Sequence, residues 1–201
     1  MIKNTLTWLL VFLPCLQLIF GFYQVQFAGD ILYWGAEPGK AVVHIVGEWA
    51  LFFLGLVLLS RHIKKLGLNL MAYRRRLGLA VFFYALLHVT AYLLLILGLE
   101  WSDLAADIQK RPYILVGALA VVLLLPMAVT STKAWQKRLR HNWKKLHLLI
   151  YPVSLLVLIH LWWQVKAEFS LALLSSLIVL VVFVLRFLPT LLAHRKTSSN
   201  L

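Results

Sequence analysis

His141-Asn142-Trp143-Lys144-Lys145-Leu146-His147, continuing through Leu148-Leu149-Ile150-Tyr151-Pro152 to His160-Leu161-Trp162-Trp163, decides how this chain is read. The stretch begins in basic, water-facing sequence, turns apolar at His147 and reaches a second histidine thirteen residues later. At a rise of about 1.5 Å per residue, the two imidazoles stand roughly 20 Å apart along one helix. That sets one towards each side of a hydrocarbon core about 30 Å thick. An imidazole is a poor choice for a lipid-facing position, so each of these histidines is a functional candidate. Two at this spacing suggest two cofactors stacked through a membrane.

Composition agrees with a membrane reading. The chain has 201 residues, 62% of them hydrophobic, with a mean hydropathy of +0.87. Apolar runs of spanning length use up nearly all of it. The expected fold is an all-α membrane protein, a single six-helix transmembrane bundle over residues 1–201. Its spans fall at 6–23, 41–60, 76–97, 113–130, 146–165 and 170–188, followed by a short basic tail at 189–201. Lys3 ahead of the first apolar run also fits a signal peptide. The run is long, however, and Gln26-Phe27-Ala28 is a poor cleavage site, so a retained helix is expected.

The net charge is +13, and its placement matters more than its size. The second loop (Arg61 to Arg76) and the fourth (Lys133 to Lys145) carry six Lys and Arg each, whereas the first, third and fifth carry one or two. This alternation places the heavy loops and both termini in the cytoplasm. Six of the seven acids lie in the light loops, and only Glu48 falls in a span. Topology accounts for the basic excess, so a nucleic-acid partner is not expected. Cys15 is the sole cysteine, which excludes an internal disulfide, an iron–sulfur cluster and covalent haem attachment.

His44 and Glu48 are four apart in the second span and share a helix face. They read either as a hydrogen-bonding pair or as a cofactor ligand beside a proton-handling or quinone-contacting carboxylate. In the third span His88 lies twelve residues past the basic edge at Arg76, as His160 lies thirteen past His147. Both spans run outward, so His88 and His160 should sit at similar depth, as a bis-imidazole iron site requires. Along an ideal helix, the step from His147 to His160 leaves the two rings about 140° apart in rotation. Pro152 between them is placed to alter that phase. Most tryptophans fall near interfaces, as in an aromatic belt. No Gly-x-Gly-x-x-Gly and no nucleophile constellation occurs, so a donor and an acceptor must lie outside the chain.

The motifs occur in the order Gly47-x-Trp49-Ala50-Leu51, Arg75-Arg76-Leu77-Gly78, Leu87-His88-x-x-x-Tyr92, Arg111-Pro112-Tyr113 and Thr130-Ser131. Trp143-x-x-Leu146-His147-x-x-x-Tyr151 and His160 complete the series. Over roughly residues 41–188 this resembles the MsrQ family, within the ferric-reductase-like transmembrane superfamily. The resemblance implies a b-type cytochrome of the bacterial inner membrane, with one or two haem b groups held non-covalently. It would be a non-catalytic subunit relaying electrons from the quinone pool to a periplasmic molybdopterin methionine sulfoxide reductase, MsrP, which repairs oxidised proteins. It further implies that His88 and His160 bind an outer haem and His147 an inner one. FMN has also been associated with the family, and no residue here places it.

The wider pattern has a second histidine thirteen or fourteen residues before the one at His88, where this chain has Arg75 and Arg74. The inner haem is then five-coordinate on His147, takes another ligand, or is missing, and Arg74–Arg76 become candidates for holding propionates. Two other classes stay open. One is a ferric or metal reductase relay fed by a cytosolic flavin reductase. The other is a non-redox transporter or scaffold.

Overall fold

A computed structural model describes residues 2–67, 69–165 and 169–198, and among these all regular elements are helices. Lys166 and Glu168 of the expected fifth loop lie outside the described residues. The helices are α1 (Ile2–Gln26), α2 (Pro38–Leu59), α3 (Arg74–Ala91), α4 (Trp101–Lys110), α5 (Tyr113–Val129), α6 (Lys133–Leu139), α7 (His141–Leu146), α8 (Ile150–Gln164) and α9 (Ser170–Ser198). α3 continues through a π-helical turn, Tyr92–Ile96, and a 3₁₀ turn, His147–Leu149, joins α7 to α8. α9 therefore continues past residue 188 into the stretch read as a tail.

Four stretches are long and apolar enough to cross a membrane: Thr7–Gln26, Pro38–Leu59, Arg74–Ile96 and His141–Gln164. α5 has 17 residues, about 26 Å at the usual rise, which falls short of a bilayer core. It meets α4 at a bend of 109°, and counted as one broken span the pair makes a fifth. The apolar part of α9, Ser170–Arg186, is shorter. Length and composition thus support four or five of the six expected spans. The span carrying His147 starts earlier than expected, at His141, because α7, the 3₁₀ turn and α8 run on without a break.

Local sequence explains several of these boundaries. Pro38 opens α2, where its fixed φ suits the first turn and its missing N–H leaves no bond unmade. Gly98 (φ 62°) and Leu99 (φ 63°) break the helix between the π turn and α4. Arg140 takes φ 48° between α6 and α7, a conformation that disfavours a side chain.

The bundle is built from two helix pairs, α2 with α3 and α5 with α8, joined where α3 meets α5. α9 lies against α2 and α8, and α1 against α3 and α2. At the centre Tyr84 is fully buried and stacks on Phe53 at 5.4 Å. Its hydroxyl donates to the Val11 carbonyl at 2.6 Å, which ties α1 to α3. The loop after α1 folds back so that Trp34 packs on Gly21, where a Cβ would lie 1.9 Å from the indole ring. Leu9, Ile19 and Leu180 are 60% or more exposed, an outward apolar surface of the kind lipid covers.

Candidate functional site

The two helix pairs bring His88 and His160 together. Their ring centroids are 6.2 Å apart and their planes stand at 86°. His88 Nδ1 lies 2.8 Å from the Val43 carbonyl on α2, and His160 Nδ1 lies 2.8 Å from the Tyr113 carbonyl at the start of α5. A carbonyl only accepts, so each Nδ1 carries the proton and donates it. Each Nε2 is then unprotonated, the form in which an imidazole nitrogen can bind a metal.

A glycine makes each contact possible. A Cβ on Gly47 would lie 2.9 Å from His88 Nδ1 and 3.0 Å from Cε1. On Gly117 it would lie 2.8 Å from His160 Nδ1 and 2.9 Å from Cε1. In a regular helix, the Val43 carbonyl is the partner of the Gly47 N–H, and the Tyr113 carbonyl that of Gly117. Each imidazole thus adds a second hydrogen bond to a carbonyl already used by the helix, and leans on the bare backbone one turn along. The local reason is compositional: an isolated glycine in an apolar helix opens a groove that any larger residue would fill.

This donor set fits a metal with two axial imidazoles. An ion bonded to one Nε2 from each side at about 2.0 Å would set collinear ring centroids about 6.4 Å apart, close to the spacing observed. Among the described residues, no group of three His, Cys, Asp or Glu side chains forms a metal cage. A pair of this kind suits an ion whose remaining donors come from a macrocycle.

His147 has a different setting. It stacks on Trp143 at 4.0 Å and its Nδ1 lies 3.0 Å from the Trp143 carbonyl, within its own helical segment. Trp143 Nε1 donates to the Thr130 carbonyl at 2.9 Å, which braces the pair against the end of α5. The 3₁₀ turn at His147–Leu149 adds about 60° of rotation over three residues relative to an α-helix, which reduces the expected offset from His160 from about 140° to about 80°. Of the two arginines at the expected ligand position, Arg75 is exposed. Arg74 is partly buried and close enough to act electrostatically on both His147 and Tyr151.

The structure does not bring His44 and Glu48 into a hydrogen bond. Gln164 Nε2 lies 3.1 Å and 3.2 Å from the two His44 ring nitrogens, linking α2 to the end of α8. Glu48 is exposed in mid-span. Tyr92, one turn beyond His88, donates to Asp107 Oδ2 at 2.6 Å, and Arg111 Nε lies 3.3 Å from Asp107 Oδ1. This cluster pins α4 over the C-terminal end of α3. Gly117 and Asp107 carry no role in the sequence reading. The signal for Gly117 was present: it follows Tyr113 by four residues, as Gly47 follows Val43.

Residues 46–158 match the family described as ferric reductase like transmembrane component. The chain is similar to the protein-methionine-sulfoxide reductase heme-binding subunit MsrQ of Xanthomonas oryzae pv. oryzae, 42% identical over 170 residues, covering 83% of this chain and 77% of that protein. It is similarly related to the protein of the same name from Xanthomonas euvesicatoria pv. vesicatoria, 42% identical over 188 residues, covering 92% and 85%. A third, from Xanthomonas axonopodis pv. citri, is 44% identical over 158 residues, covering 77% and 72%. No solved structure matches the chain.

Proposed function

This chain belongs to the MsrQ family of ferric-reductase-like transmembrane proteins, and from that premise we propose that it is a haem-bearing electron relay serving a methionine sulfoxide reductase. The observation that carries the reading is the close approach of His88 and His160, at a centroid separation near that of two axial ligands. These two residues would hold the outer haem b. His147, with Arg74 rather than Arg75 beside it, would hold an inner one. Haem supplies one-electron redox chemistry, while the chain supplies ligands, spacing and potential.

In this reading the chain is a six-span protein of the inner membrane with both termini cytoplasmic. α4 and α5 form one broken span and α9 the last. Electrons enter from quinol and leave at the outer face to MsrP. Glu48 is the intramembrane carboxylate that exchanges protons with quinol. No residue is assigned to FMN.

The test is a reduced-minus-oxidised visible spectrum of purified protein, with haem quantified per chain. His88→Ala and His160→Ala should each remove the same haem, and His147→Ala a different one. Protein made with ample haem supply that contains none would overturn the relay.

A further inference from the structure

The two histidine settings are copies of one device. In each, an imidazole rests on a glycine of the neighbouring helix and donates to the carbonyl four residues before that glycine. The carbonyl fixes the direction of Nδ1, and the glycine fixes how closely the ring approaches. Together they leave the ring little freedom to turn. Because the two devices sit on separate helix pairs, each ring plane is set independently, and the outcome is 86°.

The geometry points to Gly47 and Gly117 as positioning residues that hold the two axial rings perpendicular, so that the oxidised outer haem is a low-spin ferric site of high magnetic anisotropy. This rests on the assignment of His88 and His160 as axial ligands. Perpendicular imidazoles interact equally with the two iron d orbitals of π symmetry. Those orbitals stay nearly equal in energy, and the ferric spectrum has one dominant low-field line. Coplanar imidazoles split the orbitals and give a rhombic three-line spectrum instead.

A methyl group at position 117 would meet His160 Nδ1 at 2.8 Å while that atom is bonded to the Tyr113 carbonyl and the other nitrogen to iron. The ring must turn or give up its hydrogen bond. Loss of that bond makes the imidazole a weaker electron donor, which moves the haem to higher potential. The crowding at Gly47 is slightly less, at 2.9 Å, so its effect should be smaller. Gly78, on α3, has nothing within 4 Å of its would-be Cβ and serves as the control.

The experiment is low-temperature electron paramagnetic resonance of ferric holoprotein, with haem quantified, in a His147→Ala background so that the inner site does not contribute. Expected is a single low-field line in the parent. Gly117→Ala should lose that line or shift it towards a rhombic spectrum, with a rise in midpoint potential. Gly47→Ala should change less, and Gly78→Ala should match the parent. If Gly117→Ala fails to fold, Gly47→Ala decides. A rhombic parent spectrum at full haem content overturns the inference and leaves the ligand assignment standing. So does the parent line unchanged in both alanine variants. A parent without haem overturns both.

Discussion

Replacing Tyr92 with Phe should loosen the junction of α3 and α4 by about 2 kcal/mol, in the range of a hydrogen bond to a charged group. The Tyr92 hydroxyl donates to Asp107 at 2.6 Å, and the Asp107 side chain is only 16% exposed. Hydrogen bonds to a charged acceptor contribute roughly 1.5–3 kcal/mol. Side-chain hydrogen bonds measured inside a membrane average about 0.6 kcal/mol. Charge and shielding favour the larger figure here. Arg111 adds little, because it is 41% exposed and its Nε is 3.3 Å from the carboxylate. Exposed pairs of that kind are worth about 0–1 kcal/mol. The check is a double-mutant cycle of Tyr92→Phe and Asp107→Ala, read by reversible unfolding in mixed detergent micelles. The double variant should be hardly less stable than Asp107→Ala alone, with a coupling of about 2 kcal/mol. A coupling below about 0.5 kcal/mol would mean that the two changes simply add, and the shielding argument would be wrong.

Tyr84→Phe keeps the stack on Phe53 and removes the bond to the Val11 carbonyl, so it should destabilise by about 1 kcal/mol and loosen α1 first, as protease sensitivity would show. Gly21→Ala drives a methyl group into the Trp34 ring, so overpacking of about 1–3 kcal/mol is expected, with a changed Trp34 fluorescence; an unaltered melting point would mean that the loop does not fold back. Arg140→Gly relieves a left-handed backbone position and should raise stability by about 1 kcal/mol in thermal melts. Glu48→Gln should slow quinol-driven haem reduction while leaving the haem spectrum intact, and an unchanged rate would remove Glu48 from proton exchange.

The matched depth of His88 and His160 was legible because a helix converts residue counts into height, and both counts start from a basic edge. Their mutual orientation was not legible. It depends on carbonyls of Val43 and Tyr113, groups that every residue owns and that leave no mark in sequence. The phase of His147 against His160 is not set by an ideal helix alone, because a 3₁₀ turn overwinds the chain there. Pro152 marks the neighbourhood of that turn but does not specify it. The start of the fourth span at Tyr113 was legible, but α4 before it was not: Asp103 and Asp107 read as loop acids, whereas they belong to a short helix whose Asp107 is turned to Tyr92. The pairing of His44 with Glu48 rested on helix periodicity alone, and Gln164, 120 residues from His44, takes the place of Glu48.

An imidazole steadied by main-chain oxygen has a consequence for how the protein tolerates change. An acceptor supplied by a side chain can be deleted by one substitution, whereas the oxygens at 43 and 113 persist whatever side chains those positions carry. Random replacement at Val43 should therefore leave the orientation of the His88 ring largely intact. The vulnerability moves one turn along, to Gly47 and Gly117, where every replacement adds atoms to a space already filled by an imidazole. The site has exchanged dependence on particular functional groups for dependence on two absences.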